Sequence, residues 1–180
     1  MATIASTWMK PSETMARAQP ATGDSQSELL TLFSAHGPAL YRFCRATLGH
    51  STDAEDIVQD TFLKLLQHLE SAGDRSNLRA WLFEVAANAC RDRLRWRMRW
   101  LPWRAELDQR AAEPVDDDEP DRRRARVALR ALSPRDRLLL ALRAEGLSYR
   151  QMASAAGIAE KSVGRLLARA VARWKRGVDG

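Results

Sequence analysis

Apolar residues recur along this chain at intervals of three and four, the period of a helix. Leu29, Leu32, Phe33, Leu40, Phe43 and Leu48 mark one or two apolar faces from Ser27 onward, interrupted at Gly37-Pro38. That predicts a pair of helices or one kinked helix. Ile57, Val58, Phe62, Leu65, Leu66 and Leu69 form a second core-facing stripe, opposite Asp56, Gln59, Asp60 and Leu63. Thr52 and Glu55 are spaced as a capping box at its start, and ESAGDRSN ends it with a short polar loop. No segment alternates as a half-buried strand would, so the chain is expected to be all-α.

The stretch RDRLRWRMRW, Arg91 to Trp100, puts arginine at nearly every second position. Its left flank, WLFEVAANAC, holds no turn residue and keeps helical spacing, so Trp81 to Trp100 reads as one helix. At about 100° per residue, Phe83, Ala87, Cys90, Leu94 and Met98 share one sector, and Leu82, Ala86, Ala89, Trp96 and Trp100 make a second apolar strip. Glu84, Asn88, Arg91, Arg95 and Arg99 line a polar sector between them, with Arg93 and Arg97 in the opposite gap. Arginines on one ridge beside indoles suit a polyanion that also offers faces to stack on, and nucleic acid is the commonest such partner. Arginine runs also sit at helix C-termini simply to complement the dipole and cover apolar surface with their stems.

Beyond Trp100 the pattern breaks. Leu101-Pro102-Trp103 ends the basic helix, and PVDDDEP lies within an acidic stretch that cannot bury enough apolar surface to order itself. Residues 101–121 are therefore read as a flexible linker, and residues 1–26, rich in Ser, Thr, Pro and Ala, as a disordered tail. Two small helical domains remain, at residues 27–100 and 122–177. In the second, Ser133-Pro134-Arg135-Asp136 supplies an N-cap, a proline at the first helical position and an acid in the first turn. Gly146 fits just past that helix, and Ser148 to Gln151 is a capping box for the next. A short helix from Ser148, a turn at Gly157 and a long helix from Glu160 have the geometry of a helix-turn-helix. Val163, Leu166, Leu167, Ala170, Val171 and Trp174 form its inner stripe, and Glu160, Lys161, Ser162 and Arg165 lead its outer face, where side chains reach base edges.

The bulk numbers agree with an anionic partner. The 180 residues carry a formal charge of +6 and a sequence pI near 10.0, with 45% hydrophobic residues. No apolar run is long enough to cross a bilayer, and no signal peptide core opens the chain, so a cytosolic protein is expected. Cys44 and Cys90 lie among apolar neighbours, and His36, His50 and His68 are scattered, so neither a metal site nor a cofactor is expected. No phosphate loop, nucleophile elbow or H-E-x-x-H motif is present, which leaves no catalytic constellation.

Three blocks carry a family resemblance: DAEDIVQDTFLKLL from Asp53, LRAWLFEVAANACRDRLR from Leu78, and LSPRDRLLLALRAEGLSYRQMASAAGIAEKSVGRLLARA from Leu132. Their order and spacing resemble bacterial sigma factors of the extracytoplasmic-function group, over about residues 27 to 176. The resemblance implies that residues 27–100 are sigma region 2, which binds core RNA polymerase and melts and reads the minus-ten element. It makes residues 122–177 sigma region 4, which reads the minus-thirty-five element as duplex. It places a polymerase contact, on the β′ clamp helices, at Asp53, Asp56, Gln59, Asp60 and Leu63, with the β flap as a further polymerase contact. It assigns minus-ten DNA to Asn88, Arg91, Arg95 and Arg99, and minus-thirty-five DNA to Ser148, Lys161, Ser162, Arg165 and Arg169. Ser71 to Leu78 matches the loop that receives a flipped-out base, whose extraction costs a few kcal/mol. Trp81 fits the core better than a stacking role. The resemblance also implies an anti-sigma partner, no small-molecule substrate and no enzyme activity. The chain departs from the family at Gly164, Arg165 and Leu166, where relatives carry a basic residue and then Ser-Arg, and at Ala159, which replaces a capping serine.

Two other functions suit a helix-turn-helix chain: a stand-alone repressor or activator, and an interaction-only adaptor. A repressor has no use for an acidic polymerase-facing helix, and the chain shows no apolar dimer seam. An acidic linker could also lie near the basic faces and damp DNA binding by the free protein. Changing Asp116, Asp117 and Asp118 to asparagine then raises free-protein DNA affinity.

Overall fold

The computed structural model describes residues 23–71, 73–100 and 120–179, all in helices or short connections. In chain order the helices are α1 (Gly23–Leu48), α2 (Ser51–Glu70), α3 (Leu78–Trp100), α4 (Pro120–Arg130), α5 (Pro134–Ala144), α6 (Tyr149–Ala156) and α7 (Glu160–Asp179). The tail reading for residues 1–22 and the linker reading for residues 101–119 lie outside the described residues. Both expected boundaries shift slightly, because α1 already begins at Gly23 and α4 at Pro120. A proline at a first helical position costs no hydrogen bond, so the PVDDDEP stretch ends in a helix start.

The interruption expected at Gly37-Pro38 does not split the first element. Pro38 lies inside a continuous 26-residue helix, where packing against α2 and α3 outweighs the lost hydrogen bond. The expected capping box at Thr52 is not formed. α2 starts at Ser51 with His50 as its N-cap and no side-chain cap, which leaves Thr52 inside the first turn, where its hydroxyl cannot cap. The second half follows its local signals closely. Ser133 Oγ accepts the Asp136 N–H, Ser148 and Gln151 form both bonds of a capping box, and Gly157 closes α6 at φ 64°. Gly146 likewise adopts positive φ after α5.

Apolar burial does not stop at the boundary between the two halves. Leu40, Phe43, Leu65, Leu82, Phe83 and Cys90 belong to the same buried cluster as Leu139, Leu142, Met152, Val163 and Leu167. α3 packs on α6 as well as on α1 and α2, and α1 reaches α5. The two sigma-like units therefore share one core. Trp81 is half-buried against that core and stacks on His68 at 4.7 Å, in keeping with the structural role expected of it. Trp96, on the second apolar strip, is 53% exposed, at an open cleft it shares with Ile57, Asp60 and Lys64 of α2. The Met98 and Trp100 side chains lie outside the described residues.

Two titratable groups in this packing set a pH window. Burial, together with the nearby Arg79 charge, lowers the His36 imidazole below its ordinary 6.5. The hydrogen bond with Cys44, together with burial, holds the Cys90 thiol well above its ordinary 9.0. The unfolded chain takes up a proton on His36 before the folded one does, and loses the Cys90 proton first. The contribution of these two groups to stability is thus expected to be full between 6.5 and 9.0. It is lost as pH falls through the lowered histidine pKa and as pH rises past the ordinary thiol value. Urea midpoints across pH check this, and substituting His36→Gln should flatten the acid limb alone.

Candidate functional site

The outer side of α2 is acidic in a chain that is basic overall. Glu55, Asp56, Gln59, Asp60, Leu63 and Glu70 are exposed there, while Ile57, Val58, Phe62, Leu65 and Leu69 are buried beneath. Helical periodicity produces this division, since the two sets alternate at three- and four-residue steps. Four of the five expected polymerase-contact residues, Asp56, Gln59, Asp60 and Leu63, share the exposed face. Asp53 does not. Its side chain is 13% exposed and points to α3, where Arg93 approaches at 3.1 Å and Arg97 also pairs with it. Arg93 reaches toward Asp56 as well, at 3.8 Å. Asp53 thus ties α2 to α3 and leaves the outward contacts to its neighbours. The opposite gap in the arginine pattern, Arg93 and Arg97, is this clasp.

Beside the acidic face runs an apolar groove of about 590 Å³ between α1 and α2, lined by Leu29, Phe33, Tyr41, Val58, Phe62 and Leu63. Of these, Phe33 is 50% and Leu63 54% exposed, and Leu30 on α1 is 63% exposed. Solvated apolar side chains clustered with acids are the make-up of a protein-docking surface. The sequence reading missed Leu30 and Phe33 as surface residues. The signal was there in Leu30, which falls outside the stripe set by Leu29, Leu32 and Leu40 and has no inner position to occupy.

The expected minus-ten residues line up on α3, but not equally exposed. Asn88, Arg95 and Arg99 are exposed, and Arg91 is half-buried. The Arg91 guanidinium donates to the Asn88 amide oxygen. Arg95 pairs with Asp92 at 3.4 Å, with both side chains 73% exposed. A pair so exposed is worth well under about 1 kcal/mol, so Arg95 can exchange it for a phosphate at little cost. The expected base-receiving loop carries an Asp74 turn, where the carboxylate accepts from the Ser76 N–H at 2.9 Å and from its hydroxyl at 3.0 Å. Those two bonds hold the Asp74 carboxyl below the usual range.

On α7, Lys161, Arg165 and Arg169 are exposed and Ser162 is half-buried, so the arginine shifted by one position still faces outward. Val163, Leu167 and Ala170 are buried on the inner side. Ser148 sits at the α6 N-terminus with its Oγ accepting the Gln151 N–H at 3.3 Å. At Gly164 a Cβ would meet only the Tyr149 ring, at 3.5 Å. That is ordinary contact, so packing does not demand the glycine. Among the described residues there is no cluster of metal-binding side chains and no helix long and apolar enough to cross a membrane.

An all-helical fold with an acidic helix face on α2, an arginine-rich α3 and a helix-turn-helix is the architecture of a two-region transcription initiation factor. Residues 32–99 match sigma-70 region 2, and residues 122–173 match sigma-70 region 4. The sigma factor CnrH of Cupriavidus metallidurans is 33% identical over 176 residues, covering 90% of this chain and 92% of CnrH. The extracytoplasmic-function sigma factor SigL of Mycobacterium tuberculosis is 38% identical over 82 residues, 45% of this chain and 46% of SigL, so that match spans about half of its length. Among solved structures, the sigma factor RpoE of Bartonella quintana, in complex with the anti-sigma factor NepR, superposes with a TM-score of 0.66. It is 28% identical, and the alignment covers 88% of this chain and 98% of that one. The chain belongs to the sigma-70 family of RNA polymerase sigma factors, in its extracytoplasmic-function group.

Proposed function

We propose that this protein binds core RNA polymerase in the cytoplasm and directs initiation at specific promoters, without enzyme activity of its own. The observation that carries this reading is the separation of chemistry between faces. An acidic and apolar surface on α1 and α2 suits a protein partner, and arginine-rich surfaces on α3 and α7 suit DNA. Asp56, Gln59, Asp60 and Leu63 dock on polymerase. Asn88, Arg91, Arg95 and Arg99 hold the separated minus-ten strand, where stacking and phosphate contacts offset the cost of opening the duplex. Lys161, Ser162, Arg165 and Arg169 read the minus-thirty-five duplex, with Ser148 at the end of α6 meeting its backbone. An anti-sigma factor that competes for these surfaces fits the same reading.

The test is run-off transcription with core polymerase, a promoter library and the purified protein. Wild type is expected to direct discrete start sites, and Asp56→Lys/Asp60→Lys to lower initiation at least about tenfold through like-charge repulsion at the docking face. If nothing initiates while the protein alone shifts duplex DNA, a stand-alone repressor takes its place.

A further inference from the structure

The polar ridge of α3 differs along its length. Its middle is covered, since Ser154 on α6 donates its hydroxyl to the Glu84 carboxylate at 2.6 Å and the Gly157 turn lies against Arg91. Its far end is open. At about 100° per residue, Asn88, Arg95 and Arg99 fall within an arc of about 40°, and Trp96 stands about 80° round from Asn88 with Asp92 between them. All five are exposed. Trp96 forms one side of a cleft of about 460 Å³ between α2 and α3, where Ile57 and Ala89 supply the apolar lining. The charged lining is two acids, Asp60 and Asp92, and two cations, Lys64 and Arg93. Arg93 is already held by Asp53 and Asp56. A lining of balanced sign does not compete with the arginine ridge for phosphate. It suits a flat, neutral group with an apolar face and a polar edge.

We propose that this cleft receives one unpaired base of the opened promoter strand, a base with an exocyclic amino group, and that Trp96 and Asp92 select it. This rests on the DNA-holding role given to Asn88, Arg95 and Arg99 above. The phosphates lie along the ridge, and the base turns sideways into the cleft, where its face meets the indole. Stacking on an aromatic ring tolerates any base, because every base has a π-face. Trp96 therefore supplies affinity, and selection falls to the edge of the base. A carboxylate accepts hydrogen bonds and donates none, so Asp92 favours the amino group of cytosine or adenine and repels the carbonyls of thymine. Asp92 is also coupled to the ridge through its 3.4 Å pair with Arg95. When Arg95 turns to a phosphate, Asp92 is released as an acceptor, so strand holding and base selection come together. The cleft is separate from the expected base-receiving loop, Ser71 to Leu78. Trp96 lies 18 residues beyond the start of α3 at Leu78, about 27 Å along the helix at 1.5 Å per residue.

The test uses holoenzyme assembled from core polymerase and the full-length protein, bound to fork-junction DNA from a promoter that the wild type uses in run-off transcription. Each base of the exposed strand is set in turn to cytosine and to uracil, which carry an amino group and a carbonyl at the same ring position. At one position cytosine is expected to bind at least about fivefold more tightly than uracil. Asp92→Asn should abolish that preference at that position alone, because an amide donates as well as accepts. Trp96→Ala should weaken binding at least about fivefold whichever base stands there, and Trp96→Phe should keep most of the affinity. If cytosine and uracil bind alike at every position, or if every preference survives in both Asp92→Asn and Trp96→Ala, selection by the cleft is overturned and the sigma function stands. If Trp96→Ala lowers affinity for core polymerase and not for DNA, the cleft belongs to the docking face and the proposal fails. If the wild type itself directs no initiation, the underlying function fails and the base site with it.

Discussion

Replacing Phe83 with alanine is expected to cost about 3–5 kcal/mol of stability, the range for removing a large buried aromatic side chain. Phe83 is 0% exposed and meets the Phe43 ring edge-to-face, with centroids 5.4 Å apart and planes at 77°. The Arg79 guanidinium lies 5.3 Å from the ring centroid on the way to its bond with Glu145. Truncation therefore removes transfer energy, leaves a cavity, and loosens the arginine that reaches the second unit. A domain of this size has roughly 5–15 kcal/mol in all, so the variant is left marginal. The urea midpoint measures the loss. Amide hydrogen exchange measures its reach: because Phe83 and Leu139 share one cluster, α5 amides should exchange faster together with those of α3. If only the first three helices loosen, the core is two cores and the seam between them is incidental.

The sequence exposed local structure far better than the relation between the two halves. Ser133, Ser148 and Gly157 announced their helix ends because capping and positive φ depend on neighbours within four residues. Thr52 misled for the same reason in reverse. Its spacing to Glu55 is that of a cap, but the helix already begins at Ser51 with His50 as its N-cap, and a capping signal does not say which of several adjacent polar residues ends up outside. The stripes on α2 and α7 were legible because one face of each is buried throughout. α3 was less so: both of its apolar strips were identified, but nothing in a helical wheel tells that one polar ridge will be covered midway by Gly157 and Ser154. Asp53 shows the limit for the site. By pattern it belongs with Asp56 and Asp60, and only the position of α3 reveals that Arg93 and Arg97 have drawn it inward.

The second large effect is expected at Arg173, which no sequence signal marks. Asp136 is 1% exposed at the start of α5, its own N–H held by Ser133 Oγ at 3.2 Å. Its carboxylate accepts from Arg173 on α7, whose side chain is 51% exposed. Removing one partner of a buried pair typically costs about 3–5 kcal/mol, because the remaining charge is left without compensation. Here the α5 N-terminus favours the carboxylate and the arginine is half in water, so Arg173→Ala is expected to cost about 2–3 kcal/mol, by urea midpoint. Arg176→Ala, on the exposed end of the same helix, should change it by less than about 0.5 kcal/mol. Adding Asp136→Asn to Arg173→Ala should recover part of the loss, since the penalty lies in the stranded charge and not in the missing attraction. The same bond ties α5 to α7, so on the proposed DNA-reading role of α7 Arg173→Ala should also weaken minus-thirty-five duplex binding under conditions where it remains folded. A variant as stable as wild type would mean that water replaces the arginine at the Asp136 carboxylate, and that α7 is held by Val163, Leu167 and Ala170 alone.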